Sequence, residues 1–326
     1  MTNIKALRHG AAWLGLLALL TLAPMPAAAQ AKFPSQPIRV IVPFAAGGLA
    51  DISMRLVAQK MSERMGQQVL VDNRPGAGGV IAANAALAAP ADGHTLILLV
   101  NGTAIAKSLF KLSYDPVTDF APISSVAYFD LVLLTRTDGP LRTVADIRAG
   151  GKDKPLVLGS INPGSTQNLS AELFKSSAQM AATVIPYKST PEVLTALLRG
   201  DVDVGFESYA ALKGSIDGGQ LRAIAVTGQA RAPWLPNVPT VKEAGLAGYD
   251  VTGWNALFAP ARTPPQIVQQ LNREVNEVLQ LPDVKRRLLE LGTEGKGSTP
   301  AEMGNLLRND IAKWAAVIKQ AGIQPQ

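Results

Sequence analysis

From residue 38 onward, short apolar runs alternate with stretches whose apolar residues recur at helical spacing. Ile38-Arg39-Val40-Ile41-Val42 reads as a strand, closed by Pro43 and the pair Gly47-Gly48. Ile52, Leu56, Met61 and Met65 then mark one face of a helix that closes near Gly66. Val69-Leu70-Val71 predicts a second strand, 73–79 a glycine loop, 80–89 a second helix and 95–100 a third strand after the Asp92-Gly93 turn. Such strand–helix–strand alternation argues a parallel, doubly wound α/β sheet.

The pattern then repeats. Strands are expected at 131–134, 156–158, 183–185, 202–206 and 221–226, with helices over 167–179 and 191–198, the latter with Pro191 in its first turn. After the Pro-rich stretch 232–239 the strand signals thin out. From Pro264 the chain reads as nearly all helix, with stops at Pro282 and Pro300. Two α/β units and a helical tail suggest two lobes, with a cleft at the strand carboxyl ends where open α/β sheets bind ligands.

The segment before residue 38 changes the picture. Lys5 and Arg8, the apolar run 11–23 and the small-residue stretch 24–31 have the form of an export signal, with candidate cleavage before Gln30 or Lys32. The apolar run is shorter than the roughly 20 residues that span a bilayer. Cleavage would make the product an exported protein, remove Lys5, Arg8 and His9, and lower the formal charge from +6 to +4.

Composition excludes more than it selects. The 326 residues contain no Cys and two His, His9 and His94, so thiolate zinc sites and Cys nucleophiles are excluded and imidazole catalysis has little to work with. The 31 basic and 25 acidic residues are scattered. The densest basic cluster, Lys285-Arg286-Arg287, sits in a helical pattern and reads as a solvated face, so no nucleic-acid partner is expected. No metal site is expected either: Asp201 and Asp203 alternate on one strand face without a partner cluster.

Three glycine loops carry the candidate chemistry. In 43–48 (PFAAGG) the paired glycines precede a helix N-terminus, an arrangement that suits a carboxylate or phosphate and equally an ordinary strand-to-helix turn. Residues 73–79 (NRPGAGG) imitate a dinucleotide fingerprint, but Ile81 stands where the third glycine is needed, and no Gly-Lys-Ser/Thr follows any of the loops. Residues 159–168 (GSINPGSTQN) offer hydroxyls and N–H groups that could hold an oxyanion, while Ser165 and Thr166 could also cap the next helix. A hydrolase elbow G-x-S-x-G is absent, and His94, a surface residue of the Asp92-Gly93 turn, is far from any of these serines in sequence.

In order and spacing, Pro37–Phe44 with Gly47, Gly48 and Asp51, Asn73–Gly79, Asp92-Gly93, Tyr114-Asp115-Pro116 with Asp119-Phe120, Pro186-Tyr187-Lys188, Leu221-Arg222-Ala223 and Val238–Val241 with Glu243-Ala244-Gly245 resemble the Bug-type receptors. These are extracytoplasmic solute-binding components of tripartite tricarboxylate transporters, and the resemblance runs over essentially all of the chain after the export signal.

The resemblance implies a two-lobed periplasmic-binding-protein fold of the type II, Venus-flytrap kind, each lobe a doubly wound sheet with flanking helices. It places the signal at 1–31, one lobe at 32–128 with 254–326, and the other at 129–253. It implies a monomer that captures a small organic carboxylate by hinge closure, without a cofactor or catalysis, and delivers it to membrane permease subunits. A sensor adaptor for a membrane kinase would have the same sequence features; an exported hydrolase is disfavoured by the missing triad.

The implied ligand residues of the first lobe are Phe44, Ala45, Ala46, Gly47, Gly48, Asn73, Pro75, Gly76, Ala77, Gly78, Gly102 and Thr103. Those of the second are Ser160, Gly164, Ser165, Thr166, Asn168, Tyr187, Lys188 and Glu207. Three positions depart from the family's pattern: Asn168 where His is common, Glu207 where Asp is common, and Ser189 where Gly is usual. If Glu207 reaches the pocket, it would repel a second ligand carboxylate; otherwise it points to solvent or pairs with Lys188.

Overall fold

The computed structural model describes residues 33–76, 79–151, 154–320 and 322–324. The expected export signal therefore lies outside the described residues, as do Ala77 and Gly78. A single compact unit spans Gln36–Gln326.

The first half opens as the apolar pattern predicts. Strand β1 (Ile38–Val42), helix α1 (Leu49–Met65), β2 (Val69–Asn73), α2 (Val80–Leu87) and β3 (Thr95–Val100) follow in order, with β1 parallel to both β2 and β3. Gly66 ends α1 in the left-handed region at φ 69°, where glycine pays no side-chain penalty. Helix α3 (Asn101–Leu109), which the apolar pattern does not announce, then leads to β4 (Phe120–Arg136).

Strand β4 joins two sheets. Residues 120–130 pair antiparallel with β9 (Thr252–Pro260), whereas 131–136 pair with β7 (Val204–Ser208) and β8 (Leu221–Val226). The second sheet is completed by β5 (Leu156–Ile161), parallel to β7 and to β6 (Ala182–Tyr187). Helices α4 (Val144–Gly150), α5 (Thr166–Ala178), α6 (Thr190–Arg199) and α7 (Tyr209–Asp217) connect these strands. The continuous path is β2-β1-β3-β9-β4-β7-β5-β6. The sheets are thus mixed rather than purely parallel, because β4 and β9 run against their neighbours.

Beyond β9 the chain forms α8 (Pro265–Gln280), α9 (Pro282–Glu290) and α10 (Pro300–Gln320). Pro282 opens α9 instead of only stopping α8, since a proline in the first turn lacks an N–H that would be unpaired there anyway. Helix α8 buries Val268, Leu271, Val275, Val278 and Leu279, one face at helical spacing. It packs on α1 and β4, and α10 packs on α3 and β4. Met303, Leu307, Trp314 and Ile318 of α10 and Trp254 of β9 enter the main core. In the second half Phe174 stands edge-on to Phe206 and to Tyr249, at centroid distances of 5.5 and 6.1 Å. Lys285, Arg286 and Arg287 are exposed on α9, the two arginines beside Glu290. Among the described residues no helix is long and apolar enough to cross a membrane.

Candidate ligand-binding site

Loops from the two sheets meet at the strand carboxyl ends. The Thr166 hydroxyl, at the start of α5, donates to Asn101 Oδ1 at the start of α3 (3.1 Å). A Cβ on Gly102 would stand 3.1 Å from the Gly164 carbonyl oxygen and 3.5 Å from Ser165 Cα. Asn101 is held from behind, its Nδ2 donating to Asp310 of α10, which also accepts from Trp254 Nε1 (2.6 Å each).

Two neighbouring chambers that share lining residues lie along this junction. The outer one has a volume of about 570 Å³ and is lined by apolar groups of Pro43, Phe44, Val80, Val100, Phe110 and Pro163, with Gly102, Thr103, Asn162 and Ser165 among its polar lining. The inner one, about 40 Å³, shares Phe44, Val100 and Asn162 with it. Helix N-termini converge on the inner chamber: Gly48, Leu49 and Ala50 of α1, Thr166 and Gln167 of α5, and Ser189, Thr190 and Pro191 of α6 line it, as does Val100, the residue that caps α3. Each brings N–H groups without intrahelical partners and the positive end of a helix dipole. Asn255 of β9, 2% exposed, also lines this chamber, and its Nδ2 has no hydrogen-bond partner among the described residues.

The expected site residues divide into three groups. Phe44, Gly76, Gly102, Thr103, Gly164 and Ser165 line the outer chamber; Phe44, Ala45, Ala46, Gly48, Thr166 and Lys188 line the inner one. Others brace the loops without lining either chamber. The Gly47 N–H donates to Asp51 Oδ2 (3.0 Å), with Gly47 at φ 89°, and Asn73 Nδ2 donates to the Phe44 carbonyl (2.9 Å) while its Oδ1 accepts from Arg55. Burial raises the Asp51 pKa, but the Arg55, Gly47 and Asn73 hydrogen bonds outweigh it and hold the carboxyl below the usual range. Asn168 accepts from Gly164 N and donates to Ser160 Oγ, and its own N–H donates to Ser165 Oγ, so Ser165 does cap α5. Pro75 is exposed, and Tyr187 packs into the second sheet's core.

Glu207 corrects both sequence alternatives: it neither faces solvent nor pairs with Lys188. It is fully buried behind the inner chamber, accepting from Gln167 Nε2 (2.9 Å) and Thr190 Oγ1 (2.8 Å), two residues that do line it. Burial pushes its carboxyl up to about 7, against the pull of Gln167, Thr190 and the Ser208 N–H.

The remaining sequence candidates lie elsewhere. Asp203 accepts from the Val157 N–H (2.8 Å), and Asp201 faces Arg199. Among the described residues no cluster of metal-ligating side chains occurs. His94 sits in the Asp92-Gly93 turn, its side chain only 12% exposed, so it is more enclosed than a surface residue.

Sequence reasoning missed Asn101, Asn162, Gln167 and Asn255. For Asn101 and Asn255 a signal was present: a single amide inside an otherwise apolar stretch, Leu99-Val100-Asn101 and Trp254-Asn255-Ala256. Asn162 sits at φ 29°, in the left-handed region that Asn tolerates better than most residues.

Residues 53–323 match the family model described as "Tripartite tricarboxylate transporter family receptor". Protein BugT of Bordetella pertussis is 34% identical over 295 residues, 89% of this chain and 90% of BugT. Among solved structures, Rpa4515 of R. palustris with adipate superposes with a TM-score of 0.87 at 36% identity, covering 90% of this chain and all of that one. MatC of Rhodopseudomonas palustris with bound malate does so with a TM-score of 0.83 at 33% identity, over 88% of this chain and all of MatC. With the family model spanning most of the sequence and such relatives along nearly its full length, the chain belongs to the tripartite tricarboxylate transporter family of receptors.

Proposed function

We propose that this protein is an exported, periplasmic receptor without catalytic activity that captures a small organic carboxylate between its two halves and hands it to membrane permease subunits. The observation that carries the reading is the inner chamber, where helix N-termini and the unpartnered Asn255 Nδ2 converge and no acidic side chain is among the described lining residues. The adipate and malate in two similar structures support the same ligand class. The lobes are 32–128 with 254–326, and 129–253, and they move about the strand crossings in β4 and before β9. Binding favours the closed form because both lobes then contact the ligand.

A thermal-shift screen tests the reading. A carboxylate at 100 times its dissociation constant stabilises the folded protein by about 2.7 kcal/mol. Midpoint shifts with carboxylic acids and none with neutral sugars or metal cations are expected; the reverse pattern would rule the reading out. The cross-cleft bond gives a second prediction. Thr166→Val leaves Asn101 Oδ1 without its donor only when the lobes are together, so affinity for the best acid of the screen should fall about 5- to 10-fold, the worth of one net hydrogen bond. Calorimetry with unchanged affinity would remove that bond from the closure mechanism.

A further inference from the structure

The two chambers differ in chemistry, and the difference bears on which carboxylates fit, given that the chain is the carboxylate receptor proposed for it. The inner chamber is small and polar. Its volume of about 40 Å³ accommodates a group the size of a carboxylate, given that one water needs roughly 10–15 Å³ of such space. The unpartnered Asn255 Nδ2 and the helix N-termini there supply donors and positive potential, and Lys188 is the charged side chain among its lining residues.

The outer chamber is large and apolar. About 570 Å³ lies within the range of whole small-molecule sites, and the rings of Pro43, Phe44, Phe110 and Pro163 with the branched Val80 and Val100 face it. Phe110 is fixed in that wall by contact with Gly164, where a Cβ would come within 2.6 Å of the ring. The charged side chain among its lining residues is Lys111, which is exposed. A second or third ligand carboxylate placed there would lose water against mostly apolar walls and find Thr103, Asn162, Ser165 and the solvated Lys111 as its polar partners among the described lining residues, an exchange that favours its exclusion.

We propose that the ligand is a monocarboxylate with a bulky apolar body, an aryl or alicyclic acid, whose carboxylate enters the inner chamber and whose ring fills the outer one. Compact tricarboxylates and short dicarboxylates are poorer ligands, because they leave the apolar walls uncovered and charge unpaired.

The test is calorimetry on the purified protein with four probes: hydrocinnamate, hydrocinnamyl alcohol, adipate and citrate. Hydrocinnamate should bind at least about 10-fold tighter than adipate and about 100-fold tighter than citrate. The alcohol, which keeps the ring and loses the charge, should bind at least about 10-fold more weakly than the acid. Adipate or citrate equalling or exceeding hydrocinnamate would overturn the proposal while leaving a carboxylate receptor in place. Equal binding of alcohol and acid would overturn the inward carboxylate. Failure of every acid to bind would overturn this proposal and the receptor reading together. Asn255→Leu, checked for folding by circular dichroism, should weaken hydrocinnamate at least about 10-fold; unchanged affinity would overturn the head-group position.

Discussion

Gly102→Val should abolish useful ligand binding while leaving the protein folded. Gly102 has no positive φ, so the backbone accepts a side chain there, and the obstacle is the facing loop. The valine Cβ would stand 3.1 Å from the Gly164 carbonyl oxygen and 3.5 Å from Ser165 Cα, and its two methyl groups add bulk to the same crowded contact. Both partners are backbone, so the clash cannot be relieved by turning a rotamer. Overpacking of this kind costs about 3 kcal/mol, and it falls only on the state in which the two loops touch. A penalty of that size on the binding-competent state weakens apparent affinity by roughly 100-fold. The open state has no such contact, so the melting temperature without ligand should stay within a few degrees of the parent's. Calorimetry and thermal melts on the same sample separate the effects: a large fall in the melting temperature would mean that the residue holds the fold together instead.

Stability should decline as the pH rises from about 5 to 8, and Glu207→Gln should remove most of that decline. In the unfolded chain Glu207 ionises near its ordinary value of 4.5; in the folded protein burial raises the value to about 7. Between those limits the native state keeps a proton that the unfolded state has released, so rising pH favours unfolding. The stabilisation is complete below the unfolded value and lost as the pH passes through the folded one. It amounts to about 3 kcal/mol at about 1.4 kcal/mol per unit. Asp130, pushed up to about 6 mainly by burial, adds to the trend in the same direction. Urea titrations of parent and variant across this range give the comparison. A parent whose stability is flat or rises toward pH 8 would mean that Glu207 is ionised where it sits. Ionisation would also place a negative charge behind Gln167 and Thr190, so an anionic ligand should bind more tightly at pH 6 than at pH 8.

Parts of the fold that depend on neighbours in sequence were legible without coordinates. Strand β1, its glycine turn and α1 announce themselves because Pro43 and the paired glycines interrupt one periodicity and begin another. Strand β9 and the first part of β4 were not legible, because their logic lies far along the chain. Ser124 and Ser125 look like surface residues, yet both are buried. Ser124 Oγ accepts from the Ser298 N–H, and Ser125 Oγ donates to the Lys296 carbonyl, more than 170 positions away. The division of labour among site residues was hidden for the same reason. Gly47 and Asn73 carry the expected motif, but their polar groups turn inward to Asp51, Arg55 and the Phe44 carbonyl. The place of Glu207 was not legible because its two partners, 40 and 17 residues away, give no local sign.

The place of β9 has a consequence for the order in which the chain can assemble. In the first sheet β9 lies between β3 and β4, so those two strands never pair with each other. That sheet stays in two pieces until residues 252–260 arrive, whereas the second sheet uses only residues 131–226. A chain emerging from its amino terminus can therefore complete the second sheet first and must wait for its carboxyl end to complete the first. Closing that long loop is slow and costly in entropy. During the wait the edges of β3 and β4 are unpaired, which makes this interval the one in which the nascent protein is most exposed to aggregation and to proteases.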